Sequence, residues 1–173
     1  ASSEEAELLA GCRTGESAAF ARLLALYRQR IVDLAYQLTH NHAEAEDVAQ
    51  EVFLRVFEHV HRFRGDSALS TWLYRITVNL CHDRRRRKAW TTETRSDLEW
   101  IPAQRDFRAQ VETKLLVQQT LATLSPPLRT VLVLREMHEL SYEEIAHIVR
   151  RPVGTVKSRL NAARRAFQEA WEE

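Results

Sequence analysis

Apolar positions recur along this chain at intervals of three and four residues, the spacing that lines one face of an α-helix. Phe20, Leu23, Leu24, Tyr27, Ile31, Leu34, Ala35 and Leu38 predict one long amphipathic helix, interrupted at His40-Asn41-His42. Asn41 followed by Glu44 has the form of a capping box and opens a second helix from about residue 43 to residue 60, whose core stripe is Val48, Val52, Phe53, Val56, Phe57 and Val60. From about Ser70 to Arg86 a third helix winds Leu73, Tyr74, Ile76, Thr77, Val78, Leu80 and Cys81 onto a broad, mostly apolar arc. Arg75, Asn79, His82, Asp83 and Arg86 share its other face with Trp72.

Periodicity fades over 89–111, where A-W-T-T-E-T-R-S-D-L-E-W-I-P mixes Thr, Ser, Pro and charges in the manner of a linker. Trp90, Trp100, Ile101 and Phe107 are apolar for such a segment, which points to docking on a domain or a partner. Helical spacing resumes from Val111 to Leu124, and Ser125-Pro126 launches a helix toward His138. Ser141-Tyr142-Glu143-Glu144 is a second capping box ahead of Ile145, Ile148 and Val149. Arg150-Arg151-Pro152 breaks that helix, and a last one runs from about Val153 to Trp171 on Val156, Leu160, Ala163 and Phe167. Two helices joined by so short a turn, the second basic, form a helix-turn-helix signature. With 4 Gly, 4 Pro and no sustained alternation to support strands, the expectation is an all-α chain. The division expected is a helical domain over 1–88, a linker over 89–111 and a helix-turn-helix domain over 112–173.

Charge changes the picture through its distribution, because the formal total is only +1. Counting Arg and Lys against Asp and Glu, residues 1–61 are net −5, 62–88 net +6, 89–149 net −3 and 150–173 net +3. Two separate basic surfaces on a protein with acidic faces suggest nucleic acid on one side and a different partner on the other. The stretch Arg62–Lys88 joins aromatics, an amide and five consecutive cations, types that stack bases, read base edges and neutralise phosphates respectively. Two readings of Trp72 fit the helical wheel: a base-stacking platform, or a ring packed under a neighbouring loop. A basic C-terminal turn also suits the helix macrodipole, but five cations in a row exceed what that effect requires.

On the second helix, Glu44, Glu46 and Asp47 suit a helix N-terminus, whereas Gln50 and Glu51 lie too far along it for that explanation. On the last helix, Lys157, Ser158, Asn161, Arg164 and Arg165 face away from the core stripe, with Thr155 and Arg159 at its margin. Six cations and no acid between Arg150 and Arg165 favour DNA contact over a merely solvated face. Cys12 and Cys81 are far apart and form no C-x-x-C pair, and the His pairs lack ligand spacing, so reduced thiols and no metal site are expected. No apolar run approaches a membrane span, and the acidic start A-S-S-E-E-A-E carries no secretory leader, so a cytoplasmic location is expected. A nuclease would need a carboxylate or His cluster near the basic helix; only His82 and Asp83 offer themselves, and adjacent helical residues diverge. No catalytic residue and no cofactor are therefore expected.

Three blocks carry a resemblance: A-E-D-V-A-Q-E-V-F-L-R, F-R-G-D-S-A-L-S-T-W-L-Y-R-I-T-V-N and L-S-Y-E-E-I-A-H-I-V-R-R-P-V-G-T-V-K-S-R-L. In this order and spacing they resemble the bacterial extracytoplasmic-function sigma factors of the sigma-70 family. The resemblance implies sigma-2 and sigma-4 domains on a linker, and a subunit that directs core RNA polymerase to promoters without doing chemistry itself. It puts Asp47, Gln50 and Glu51 where the family grips the β′ clamp helices, with the β flap as a further polymerase contact. The Phe63 loop, flanked by Arg62 and Arg64, and Asn79 match positions that capture a base flipped from the −10 element. Trp72 and Arg75 fall among the strand-opening residues, with Arg84, Arg85 and Arg86 beside the backbone. Thr155, Lys157, Ser158, Arg159, Asn161 and Arg164 match the helix that reads the −35 element. The family also implies promoter DNA and an anti-sigma factor as partners. A helix-turn-helix repressor or activator is the competing reading; it predicts duplex binding without polymerase and leaves Trp72, Phe63 and the Asp47/Glu51 face unemployed.

Overall fold

The computed structural model describes residues 3–90 and 108–172, which form eight α-helices and one 3-10 turn. In chain order they are α1 (Ser3–Arg13), α2 (Ser17–Thr39), α3 (His42–His59), the 3-10 turn Val60–Arg62, α4 (Leu69–Trp90), α5 (Arg108–Thr123), α6 (Pro126–Glu136), α7 (Tyr142–Val149) and α8 (Val153–Glu172). Among the described residues there is no strand, and the molecule is all-α. Of the four apolar residues of the expected linker, Trp90 ends α4 with its side chain exposed, and Trp100, Ile101 and Phe107 lie outside the described residues.

Local chemistry fixes the helix ends. At His40 (φ 57°) the backbone enters the left-handed region and its N–H donates to the Tyr36 carbonyl, closing α2. One residue later the Asn41 side chain accepts the Glu44 N–H at 2.8 Å and opens α3. Both halves of the capping box form at α7: Ser141 accepts from Glu144 N–H at 3.1 Å, and the Glu144 carboxylate accepts from Ser141 N–H at 2.8 Å. Arg150 (φ 53°) ends α7 in the left-handed conformation, so the chain reverses into α8 within three residues. Ser125 precedes α6 without a side-chain cap, leaving Pro126 at the first helical position as its start signal.

The N-terminal lobe packs α1 to α4 around α2. Ile31, Leu34 and Ala35 of α2 meet Val48, Val52 and Val56 of α3 and Leu69 and Leu73 of α4, all fully buried. In the C-terminal lobe Val131 and Leu134 of α6, Ile145 of α7, and Val156 and Ala163 of α8 are likewise enclosed. The lobes meet where α2 lies against α6 and α4 against α7. At Gly11 the chain of α1 comes so near α2 that an added Cβ would stand 2.7 Å from the Ala19 Cβ.

Two helices and one side chain depart from the sequence expectation. The first helix, α1, follows from no periodicity read above; it buries Leu8 and Cys12. Helix α4 begins at Leu69 and continues through Trp90, past its cation block. Phe57, assigned to the core stripe of α3, is 63 % exposed, because residues 50, 53, 54 and 57 form a second stripe beside the buried Val48–Val52–Val56 row.

Candidate protein- and nucleic-acid-binding surfaces

On α3, Asp47 and Gln50 are exposed and Glu51 is half-buried. The Glu51 carboxylate is held from two sides: Oε1 accepts from Arg55 Nη2 at 2.7 Å and Oε2 from Arg84 Nη2 at 3.1 Å. Burial raises its pKa, but the hydrogen bonds and charges of Arg84 and Arg55 outweigh that effect and hold it below its ordinary value. Arg84 also lies 4.0 Å from Asp47, and Lys88 pairs with Glu44. The cation block of α4 is thus divided. Arg84 and Lys88 turn toward the acids of α3, Arg86 pairs with Asp83 on its own helix, and Arg85 and Arg87 are exposed.

Next to the acidic residues lies a groove of about 450 Å³ between α2 and α3, floored by Phe20, Leu24, Phe53, Leu54 and Phe57. Arg28, Glu46 and Gln50 stand at its rim. Leu54 and Phe57 are each 63 % exposed, and the Phe57 ring lies 4.8 Å from that of Phe20. Leu54 and Phe57 were absent from the candidate surface residues, yet their spacing from Gln50 (i+4, i+7) on one helix contains the signal. An apolar patch continuous with a charged rim is the composition of a protein-binding surface.

The loop before α4 places its aromatics differently from an open platform. Phe63 is buried, its ring stacked on Trp72 with centroids 4.9 Å apart and planes at 30°. Its carbonyl accepts from the Arg13 guanidinium. Trp72 is half-buried by this contact, so of the two readings of its position the packed one describes the ring. Gly65 (φ +77°) turns the loop and leaves Arg62 and Arg64 exposed on either side of Phe63. Leu69 N–H donates to the Glu5 carboxylate at 2.8 Å, tying the start of α4 to α1. Asn79 is exposed on α4, while Arg75 is half-buried, its Nη1 3.3 Å from His147 Nε2 of α7. Desolvation, and then the charge of Arg150, lower the Arg75 pKa.

In the second lobe Lys157, Ser158 and Asn161 are exposed along the N-terminal half of α8, with Thr155 and Arg159 half-buried at its edge. Ser158 Oγ donates to the Thr155 carbonyl at 3.0 Å. Arg164 differs from its neighbours: its Nη2 and Nε donate to Glu136 Oε1 of α6 at 2.7 and 3.0 Å, a contact that raises its pKa. Tyr142, at the start of α7, lies between the cations Arg135 (5.0 Å from the ring centroid) and Lys157 (5.9 Å). Cys12 and Cys81 are free and buried, and burial pushes the Cys81 thiol up to about 12. No group of His, Cys, Asp and Glu among the described residues is arranged to hold a metal ion.

Two all-helical lobes, one with an acid-and-apolar face and an amide-bearing basic helix, the other with a basic helix-turn-helix, are the architecture of the sigma-70 class. Residues 23–91 match the family model for sigma-70 region 2, and residues 114–167 match that for sigma-70 region 4. The RNA polymerase sigma-H factor of Pseudomonas aeruginosa is 37 % identical, covering 96 % of this chain and 93 % of its own. The ECF RNA polymerase sigma factor SigW of Bacillus subtilis is 36 % identical, covering 91 % of each. Among solved structures, RpoE of Bartonella quintana in complex with the anti-sigma factor NepR superimposes with a TM-score of 0.74 at 26 % identity, over 88 % of this chain and 96 % of that one. CnrH in complex with the cytosolic domain of CnrY shares the fold, with a TM-score of 0.75 at 23 % identity over 97 % of each chain. The chain belongs to the extracytoplasmic-function branch of the sigma-70 family. It is an alternative sigma factor of transcription initiation.

Proposed function

We propose a division of labour within the chain. Residues 1–88 grip core RNA polymerase and engage the −10 element, residues 112–173 read the −35 element, and 89–111 connect them. The observation that carries this reading is the pair of separate surfaces: an exposed acidic, amide and apolar face on α3, and an exposed basic face on α8 in the other lobe. Asp47, Gln50 and Glu51 supply charge and hydrogen bonds to the β′ clamp helices, and the Leu54–Phe57 groove supplies apolar contact beside them. Exposed Leu115 and Leu116 on α5 and Trp171 on α8 offer apolar surface to the β flap. The same apolar groove suits an anti-sigma factor, in keeping with the NepR complex of the RpoE neighbour.

On DNA, Asn79 reads an opened base with the Phe63–Trp72 stack beside it, and Arg62, Arg64, Arg75, Arg85 and Arg86 approach the backbone. Arg84 contributes chiefly by holding Glu51. Unstacking a base costs a few kcal/mol, and an aromatic platform returns about 1–3 kcal/mol per stacked base. With cost and gain so close, strand opening needs the polymerase's own contacts. In the −35 helix, Lys157, Ser158, Arg159 and Asn161 face base edges and phosphates, and Thr155 flanks them. Arg164 enters either by leaving Glu136 or by acting as a brace for α8. The chain performs no chemistry in this scheme; bond formation belongs to the polymerase, whose company places the chain in the cytoplasm.

The test is reconstitution. The chain is mixed with bacterial core polymerase, and binding and promoter-dependent starts are measured for wild type and for Glu51→Ala and Arg159→Ala. Glu51→Ala should lose core affinity, and Arg159→Ala should retain it while losing −35 dependence. Equal loss of core binding in both variants would overturn the division of labour.

A further inference from the structure

Four of the chain's seven histidines stand where the lobes meet. His40 at the end of α2 places Nδ1 3.2 Å from Gln118 Oε1 of α5. His82 of α4 places Nε2 3.1 Å from Thr130 Oγ1 of α6. His138, between α6 and α7, places Nε2 2.8 Å from Gln37 Oε1 of α2 and packs edge-on against Tyr74 of α4, 5.3 Å between ring centroids. His147 of α7 meets Arg75 as described above. Arg129 of α6 completes the seam by donating to the Leu38 carbonyl of α2 at 3.2 Å. The ion pairs named in the preceding sections each lie within one lobe, whereas these cross-lobe contacts, the Arg129–Leu38 bond aside, run through imidazoles.

The surroundings suit neutral rings. His40 is half-buried, its Nε2 enclosed without a partner, and it faces the Arg129 charge. His82 faces Arg129 from α6 and Arg85 and Arg86 from its own helix, against the single nearby acid Asp83. His138 faces Arg30 and Asp33 of α2, which act in opposite directions. Around Tyr74 at the same seam stand Arg30, Asp33 and, from α7, Glu144. A proton added at His40 or His82 would meet a guanidinium in a site with little water, which costs free energy in the closed form alone.

We propose that this seam is a proton-operated latch, in which neutral His40, His82 and His138 hold the lobes together and protonation separates them, uncovering Arg75 on α4. The separation stands on the seam itself; only its consequence, Arg75 freed for DNA, rests on the function proposed above. Burial lowers all three imidazoles first of all, and His40 falls to about 4. Released, each regains an ordinary value of about 6.5. The closed form is therefore fully favoured above that value, and its advantage is lost as pH falls from about 6.5 toward the closed-state values. Between about pH 7.5 and about pH 5.5, His40 alone shifts the closed-to-open ratio about tenfold toward open. His82 and His138 add in the same direction.

Small-angle scattering of the full chain at these two pH values, with far-UV circular dichroism alongside, tests the latch. Expected is a compact particle at the higher pH and an extended two-lobed particle of unchanged helicity at the lower. A triple variant, His40→Gln with His82→Gln and His138→Gln, keeps hydrogen-bonding groups without titrating and should stay compact at both. His40→Arg places a permanent charge at the seam and should open the molecule at the higher pH. If the triple variant does not fold, wild type and His40→Arg still decide. The proposal is overturned if wild type has the same dimensions at both pH values, if helicity is lost together with compactness, if the triple variant opens over the same range, or if His40→Arg remains compact at the higher pH.

Discussion

Glu51 is one carboxylate held by two guanidinium groups, so its charge and its direction are both fixed before any partner arrives. Preorganisation of this kind lowers the ordering cost of binding. Because the pair with Arg84 is partly solvent-exposed, it contributes little to folding, about 0–1 kcal/mol. Glu51→Ala is therefore expected to leave the thermal midpoint nearly unchanged while weakening core-polymerase affinity by about tenfold or more, measured by fluorescence anisotropy. Asn79, exposed on α4, is the corresponding residue for DNA. Asn79→Ala should reduce −10 discrimination by the ~1–3 kcal/mol of a lost base-edge contact, seen in permanganate reactivity of the opened strand, with core binding intact. Loss of core binding instead would make Asn79 a structural residue. At this scale the residue types were legible and their partners were not. The helical wheel could place Trp72 on a polar face and the sequence could place Arg84 in a cation block, but the ring folds back on Phe63 and the guanidinium reaches across to another helix. Both contacts depend on tertiary neighbours that a single helix does not encode.

Among the elements, α3 carries two functions on two stripes. Its buried row Val48–Val52–Val56 builds the lobe, and its outer row Gln50–Phe53–Leu54–Phe57 borders the groove. Periodicity finds apolar residues at helical spacing but does not say which of two adjacent stripes meets the core, which is why Phe57 read as interior. The stripes separate by experiment. Leu54→Ser with Phe57→Ser should keep the fold, since both side chains are exposed, and cost core affinity at least about tenfold as interface anchors do. Leu73→Ala in α4 should instead lower stability by about 2–5 kcal/mol in urea denaturation. Capping chemistry made α3 and α7 legible, through Asn41 and Ser141. Helix α1 lacked such a signal: Leu8 and Cys12 are its buried apolar contributions, and its place depends on α2 and on the close approach at Gly11.

At the scale of the molecule, alternating acidic and basic blocks become surfaces with different partners, and part of that charge is spent internally where α4 meets α3. The all-α class and the helix-turn-helix followed from spacing and caps, whereas the seam between lobes did not. A histidine followed by polar residues has no periodicity that announces a contact with a distant helix, as His40 with Gln118 shows. With Arg75 engaged at that seam and Arg84 and Lys88 paired with the α3 acids, the isolated chain should bind promoter duplex weakly at physiological salt. Gel shifts with and without core polymerase check this; tight sequence-specific binding by the chain alone would point to a polymerase-independent regulator.

The most direct measurement combines purified core polymerase and the full chain on fragmented genomic DNA of the source bacterium, with the 5′ ends of the transcripts sequenced. The account predicts chain-dependent starts that share one two-part upstream motif, with the upstream half losing its influence in Arg159→Ala and the start-proximal half in Asn79→Ala. Starts that do not depend on the chain, or a chain that does not bind core polymerase, would contradict it.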